Sequence, residues 1–220
     1  MKLFARLGVV VCALVVGSSA KADTITYSLD MGNPAISGFA GPYVSVLVDR
    51  TSGTTADITF TSLSSGSETF LTADGGTVAV NVNATSWTLS SILGVNVGTG
   101  FTPGPFSDGG SGNEDGFGSF NQRIDGFDGF THSTSSVSFT LTNLSGSWAS
   151  VADVLTPNEN GFVAAAHVFV ASCSSAASCD AGTGALATGF GTVGAVPVPE
   201  PGTAGMLGLG LTFLALARRR

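Results

Sequence analysis

Positive charge is almost absent from the middle of this 220-residue chain. Of eight lysines and arginines, three lie within the first 21 residues and three end the chain, which leaves Arg50 and Arg123. The stretch from Asp23 to Glu200 holds all fifteen acidic residues, so its formal net charge is −13. Because nucleic-acid binding needs clustered lysine and arginine to neutralise phosphates, that function is excluded. Anionic lipid headgroups are disfavoured as partners for the same reason.

Cysteine is also scarce, with three residues in the chain. Cys12 lies in an N-terminal apolar segment, so the rest of the chain has only Cys173 and Cys179, with five residues between them. In an oxidising, exported setting we expect this pair to form a local disulfide that closes a small loop. A tetrahedral metal site would need further cysteine or a nearby histidine, and the sequence offers neither there.

Residues for acid–base or nucleophilic catalysis are equally few. His167 lies in an apolar run, where a buried structural histidine is expected, and His132 is followed by Ser133 and Ser135 as nearby hydroxyls. No Gly-x-Ser-x-Gly motif presents a serine nucleophile. A glycoside hydrolase needs two carboxylates in one cleft, which spacing alone does not establish. We therefore predict a non-enzymatic protein without a resident cofactor and keep an extracellular hydrolase as an alternative.

The body of the chain has the hydrophobic pattern of β-strands. Apolar residues recur at every second position in five runs, mostly with polar residues between them, which indicates half-buried antiparallel strands: residues 25–29, 44–48, 56–60, 78–82 and 137–141. Residues 162–170 are apolar on both faces and predict a central strand. One short helix is predicted over residues 147–155. The expected fold is an all-β, antiparallel β-sandwich, jelly-roll-like, occupying residues 23–195 as one domain.

A glycine-rich segment at residues 98–120 predicts a long loop that is either functional or mobile. In and just after it lies the densest group of acidic residues, which are weak calcium candidates because carboxylates between glycines can wrap a hard cation: Asp108, Glu114, Asp115, Asp125 and Asp128. Solvated loop acids are the simpler interpretation. Six phenylalanines of this region are candidates either for stacking on sugar rings or for burial against the sandwich: Phe101, Phe106, Phe117, Phe120, Phe127 and Phe130.

Residues 1–22 have the organisation of a secretory signal peptide. Lys2 and Arg6 supply the charged start, residues 7–16 the apolar centre, and Ala20 and Ala22 the small residues before a cleavage point. The sequence predicts that the mature chain begins at Asp23.

The C-terminal residues form a second transport signal. The sequence Val-Pro-Val-Pro-Glu-Pro at residues 196–201 precedes sixteen apolar residues, 202–217, and the chain ends in three arginines. Sixteen helical residues span about 24 Å, less than the roughly 30 Å of a bilayer core. The arginines favour a cytoplasmic C-terminus, and the prolines prevent the helix from extending backwards.

This combination resembles the PEP-CTERM sorting signal of proteins exported by Gram-negative bacteria that make exopolysaccharide. The resemblance implies recognition of Pro199, Glu200 and Pro201 by exosortase, a membrane-embedded cysteine transpeptidase. The short transmembrane helix and Arg218, Arg219 and Arg220 would hold the chain in the inner membrane until it is processed and passed to the cell surface or medium.

Together these features predict an exported cell-surface or matrix protein with a structural or interaction role in a biofilm. The alternative is a module that binds extracellular polysaccharide, with or without calcium.

Overall fold

The computed structural model describes residues 23–193. Within this range the chain forms twelve strands: β1 (Asp23–Gly32), β2 (Val44–Arg50), β3 (Thr55–Ser62), β4 (Ser64–Ser65), β5 (Glu68–Thr72), β6 (Val78–Val80), β7 (Trp87–Val95), β8 (Ser107–Glu114), β9 (Gly118–Asp125), β10 (Ser136–Asn143), β11 (Ala164–Ala171) and β12 (Ala185–Val193). The strands pair antiparallel throughout. The predicted all-β, antiparallel fold is confirmed.

All twelve strands belong to one sheet. Its hydrogen-bonded order is β7-β10-β3-β2-β1-β12-β11-β6-β9-β8, and β5, which carries β4, pairs with β11 beside β6. The sheet curls until it nearly closes into a barrel-like sandwich, with the main core inside. Strands β7 and β8 are the two ends of this order.

Two predicted segments lie outside the described residues. They are the signal peptide at 1–22 and the C-terminal signal at 196–220, with its helix at 202–217. Between residues 23 and 193, no helix is long and apolar enough to cross a membrane.

Strict alternation in β2, β3 and β10 builds the centre of the core. Val46 lies opposite Phe60 across the β2–β3 pair, and Ile58 lies opposite Phe139 across the β3–β10 pair. The inward side chains of the three strands are at most 2% exposed: Val44, Val46, Val48, Ala56, Ile58, Phe60, Val137, Phe139 and Leu141. Burial of a large apolar side chain contributes about 1.5–3 kcal/mol to the stability of the fold. Because a slip of one residue would turn these side chains outward, the alternation also fixes the register of the strands.

Strand β11 is the predicted central strand. It pairs with β12 on one side and with β5 and β6 on the other. Every residue of β11 except His167 is buried. Both faces of the strand are therefore covered, which explains why its sequence is apolar without alternation.

The helix predicted over residues 147–155 is wrong. The chain makes only a single 3₁₀ turn at Val151–Asp153. The Asp153 carboxylate caps this turn by accepting from the Ser150 backbone N–H at 2.8 Å. Leu155 then leaves the turn to form a β-bridge with Val82. The shared apolar face of Trp148, Val151 and Leu155 reflects burial of an irregular segment, not a helix.

The long loop predicted at residues 98–120 is also wrong in its second half. Strands β8 and β9 form an antiparallel hairpin with two register shifts. Glycine-rich β8 shows no alternation because glycine has no side chain to place on either face. Its partner β9 does alternate and buries Phe120, Gln122 and Ile124, which anchors the hairpin.

Candidate functional site

The β8–β9 hairpin holds most of the acidic residues singled out in the sequence. Its turn is closed by a hydrogen bond from the Phe117 backbone N–H to the Glu114 carbonyl, 2.9 Å. Gly116 lies in this turn with φ +88°, a backbone conformation that glycine adopts without a steric penalty. The turn places the Glu114 and Asp115 side chains in different surroundings: Glu114 is buried and Asp115 is exposed.

Glu114 is the most unusual ionisable residue of the described chain. Its side chain is fully buried, and neither carboxyl oxygen has a hydrogen-bond partner among residues 23–193. Gly76 makes room for it, because a Cβ at that position would lie 2.5 Å from Oε2 of Glu114. Burial raises the pKa of Glu114 to about 8, although Arg123 lowers it and Asp125 adds to the rise. At neutral pH this carboxyl is therefore mostly protonated.

Asp125 and Asp108 are used by the hairpin itself. Asp125 accepts a hydrogen bond from the Gly76 backbone N–H at 2.7 Å and contacts Arg123 at 3.3 Å. Asp108 accepts from Nε2 of Gln122 at 2.7 Å, and Oε1 of Gln122 accepts from Nε1 of Trp87 at 2.8 Å. This last chain of bonds ties β7 to β9 across the sandwich. Both carboxylates thus stabilise the fold.

The remaining two calcium candidates are exposed. Nδ2 of Asn33 donates to Asp115 at 3.4 Å, while Asp128 lies beyond the end of β9. Among residues 23–193 there is no group of three or more His, Cys, Asp or Glu side chains arranged to hold a metal ion. The structure thus brings Glu114 and Asp125 together around Gly76 and leaves the other three acids apart.

The two histidines have structural contacts. Nδ1 of His132 lies 2.8 Å from the Thr102 carbonyl oxygen and orders the segment before β8. Nε2 of His167 lies 2.9 Å from Oγ1 of Thr188, and its ring stacks on Phe190. Burial lowers the pKa of His167, and the nearby Asp74 carboxylate partly offsets this effect.

The serines beside His132 are also engaged with backbone. Oγ of Ser133 donates to the Phe130 carbonyl at 2.7 Å, and Oγ of Ser135 donates to the Val95 carbonyl at 3.2 Å. Both hydroxyls thus hold the approach to β10 in place.

The phenylalanines of this region mostly pack inward. Phe117 and Phe120 form a small cluster with Ala79 and Ala165 on the outer side of the sheet. Phe101, Phe106 and Phe130 are partly buried against other apolar residues. Phe127 is 52% exposed and lies beside the His132 ring, with 4.6 Å between ring centroids. Burial accounts for five of the six rings.

Cys173 and Cys179 are joined by a disulfide, as the sequence predicts, with their Cα atoms 5.1 Å apart. Cys179 is buried against Leu71 and Ala171. The Cys179 carbonyl accepts a hydrogen bond from the Thr99 backbone N–H, 2.9 Å. The bridge thus fixes a short loop that in turn holds the segment following β7.

A shallow groove of about 380 Å³ is a feature that sequence reasoning did not predict. It lies between β3, β7 and β10 on the side of the sheet away from the core, and its lining is rich in hydroxyl groups: Asp57, Thr59, Ser91, Leu93, Ser138, Phe139 and Thr140. Oγ1 of Thr140 donates to Asp57 at 2.6 Å. The sequence alone shows that one face of β3 and one face of β10 are polar. The groove also needs the irregular β7–β10 register near Ser91, which has φ +55°.

Comparison with protein families identifies the C-terminal segment. Residues 197–220 match the family model described as the PEP-CTERM protein-sorting motif. This range contains the Pro199-Glu200-Pro201 tripeptide and the three terminal arginines, so the resemblance noted in the sequence is confirmed. Comparison with curated proteins and with solved structures gives no match. The motif implies an exported protein that is a target of exosortase and is sorted to the cell surface.

Proposed function

We propose that this chain is a non-enzymatic structural or interaction protein of the cell surface or extracellular matrix in an exopolysaccharide-producing Gram-negative bacterium. Exosortase sorts it through Pro199, Glu200 and Pro201. The observation that carries this proposal is the match of residues 197–220 to the PEP-CTERM motif. The β-rich body delivered by this signal would contribute to a biofilm.

The proposed sorting step follows from the order of the C-terminal elements. Three prolines at 197, 199 and 201 keep the backbone extended just outside the membrane, where an enzyme can reach it. The sixteen apolar residues at 202–217 act as a transient inner-membrane anchor, and the arginines hold the C-terminus in the cytoplasm. A permanent anchor would need no Pro-Glu-Pro element and would favour a longer apolar span.

The contacts of the body support a structural role. Both histidines and the serines near His132 are engaged in hydrogen bonds that order the chain. Of the two acids that come together, Glu114 is fully buried, and Asp125 is already engaged with the Gly76 backbone N–H and with Arg123. A disulfide and a continuous core suit a domain that must persist outside the cell.

Replacing Pro199, Glu200 and Pro201 with alanine tests the sorting step. We expect the variant to accumulate uncleaved in the inner membrane, because the recognition element is lost while the helix and arginines remain. Fractionation followed by immunoblotting of membranes and medium measures this. The matched control is Val196→Ala, a change just outside the matched segment 197–220, which should be processed like the parent. Normal delivery of the triple-alanine variant would show that the tail is only a short hydrophobic anchor.

A second candidate function, binding of extracellular polysaccharide, is favoured by the hydroxyl-lined groove. Thr59, Ser138 and Thr140 present hydroxyls beside the Asp57 carboxylate, and these groups can exchange hydrogen bonds with sugar hydroxyls. Its calcium-dependent form uses Glu114 and Asp125, which both lie against Gly76. The unpartnered oxygens of Glu114 are the observation that supports a cation there.

A further inference from the structure

Strand β7 forms one end of the sheet and has a strand partner on one side only. In the described part of the chain it pairs with β10 and with no other strand. Nine residues long, it leaves the backbone N–H and C=O groups of its other edge without a strand partner. Such an edge is the element to which another β-strand adds in β-augmentation.

The stretch of sequence that contains β7 is free of charge. Residues 75–107 contain no Asp, Glu, Lys or Arg, although the described body as a whole carries fourteen acidic residues and two arginines. A second copy of the chain carries the same excess of negative charge, so two copies repel each other over most of their surfaces. Repulsion is smallest where carboxylates are few. Neither β7 nor its neighbour β10 contains one, and Asp57 of β3 lies in the groove that Leu93 also lines.

An aliphatic stripe runs along the same edge. Leu93, Val95 and Val97 are 60%, 45% and 61% exposed, and they alternate with partly buried residues, so they share one face. The opposite end of the sheet, β8, differs in every respect that matters for pairing. It has three glycines and an irregular backbone in place of a stripe, two register shifts and the charged Asp108, features that protect an edge from other strands.

We propose that the β7 edge is a self-association surface whose occupant is the β7 edge of a second copy, paired antiparallel about a two-fold axis. An antiparallel pair of identical strands is self-complementary, as a closed dimer requires. Centred on Val95, the pairing sets Val95 against Val95 of the partner subunit and Leu93 against Val97 of the partner subunit. Aliphatic residues then face each other along the stripe, and the two sheets join into one.

This inference builds on the proposed structural role of the exported body, since a matrix protein that joins its own copies links the surfaces on which it is displayed. The experiments are independent of sorting. They use the exported protein purified from the producing cells, or the full chain in detergent should processing not occur, so the failure of one proposal is distinguishable from the failure of the other.

Sedimentation velocity over a range of protein concentrations tests the dimer. We expect the parent to convert from monomer to dimer and Val95→Asp to weaken dimerisation on the order of tenfold or more, because two carboxylates then meet at the axis. The matched control is Met31→Asp, which places the same charge at a residue of similar exposure, 40%, on β1, four strands away. It should dimerise like the parent. A parent that stays monomeric at all concentrations, or equal weakening by both variants, would overturn the proposal.

A cysteine variant tests the register. Val95→Cys should form a disulfide-linked dimer on mild oxidation, because directly opposed residues of an antiparallel pair have Cβ atoms about 4.5–5.5 Å apart. Met31→Cys should not cross-link. Open-ended oligomers, or dimers without the Val95→Cys cross-link, would show that a different surface associates and would contradict the two-fold β7 pairing.

Discussion

At the scale of single residues, a few buried side chains of the described structure have polar atoms without a hydrogen-bond partner. Glu114 is the extreme case, with both carboxyl oxygens unpartnered and Gly76 tight against them. The sequence identified Glu114 only as one acid among five in a glycine-rich segment. Its burial depends on contact with Gly76, which lies far earlier in the chain, and no spacing argument brings those two residues together.

The raised pKa of Glu114 makes stability depend on pH. In the unfolded chain the carboxyl ionises near 4.5, and in the folded chain near 8. The folded state therefore binds the proton more tightly, so its contribution to stability is complete below pH 4.5 and is lost as pH rises through 8. Each pH unit within that window costs at most about 1.4 kcal/mol. We predict that Glu114→Gln, which cannot ionise, is more stable than the parent at pH 8 and that the difference shrinks toward pH 4.5.

Chemical denaturation at pH 4.5, 6 and 8 measures this difference. The control is Glu159→Gln, which removes the same charge at an exposed position and should leave the slope with pH unchanged. Parallel stability curves for the parent and Glu114→Gln would mean that Glu114 is ionised and satisfied in the folded protein.

At the scale of elements, alternation predicted those strands whose two faces differ. Strands β2 and β3 bury every second side chain, and the sequence located both of them. It missed β8, where glycine leaves nothing to alternate, and it predicted a helix at residues 147–155 from three apolar residues at helical spacing. There the Asp153 cap and the β-bridge of Leu155 to Val82 determine the backbone instead. Tertiary contacts thus outweighed local periodicity at residues 147–155, whereas β8 had no periodicity from which to predict a strand.

The β8–β9 hairpin is also the element on which the calcium-dependent alternative depends. That alternative predicts that millimolar Ca²⁺ raises the melting temperature of the parent at pH 8, since a ligand of the folded state alone stabilises it. Glu114→Gln should lose most of this rise, whereas Asp128→Asn, an exposed change of similar chemistry, should keep it. Differential scanning calorimetry with and without Ca²⁺ makes the comparison. An unchanged melting temperature of the parent would eliminate the calcium-dependent form.

At the scale of the whole molecule, the described body and the C-terminal signal carry different kinds of information. Composition predicts that the body does not bind nucleic acid, because Arg50 and Arg123 alone cannot neutralise a phosphate backbone. The sorting signal could be predicted from the sequence because its parts, Pro-Glu-Pro, the apolar run and the arginines, follow one another along the chain. The family match to residues 197–220 confirms it. The groove and the β7 edge could not be predicted from the sequence, since both arise from the register and order of strands that are distant in sequence.

The central claim is that the C-terminal segment is a sorting signal that exosortase removes. Intact-mass spectrometry of the protein recovered from the cell surface and medium tests it most directly, since one mass reports both ends of the chain. We predict a species that begins at Asp23 and ends near Pro199-Glu200-Pro201, without the apolar run or the terminal arginines. Surface material that retains the sequence through Arg220 would contradict the account.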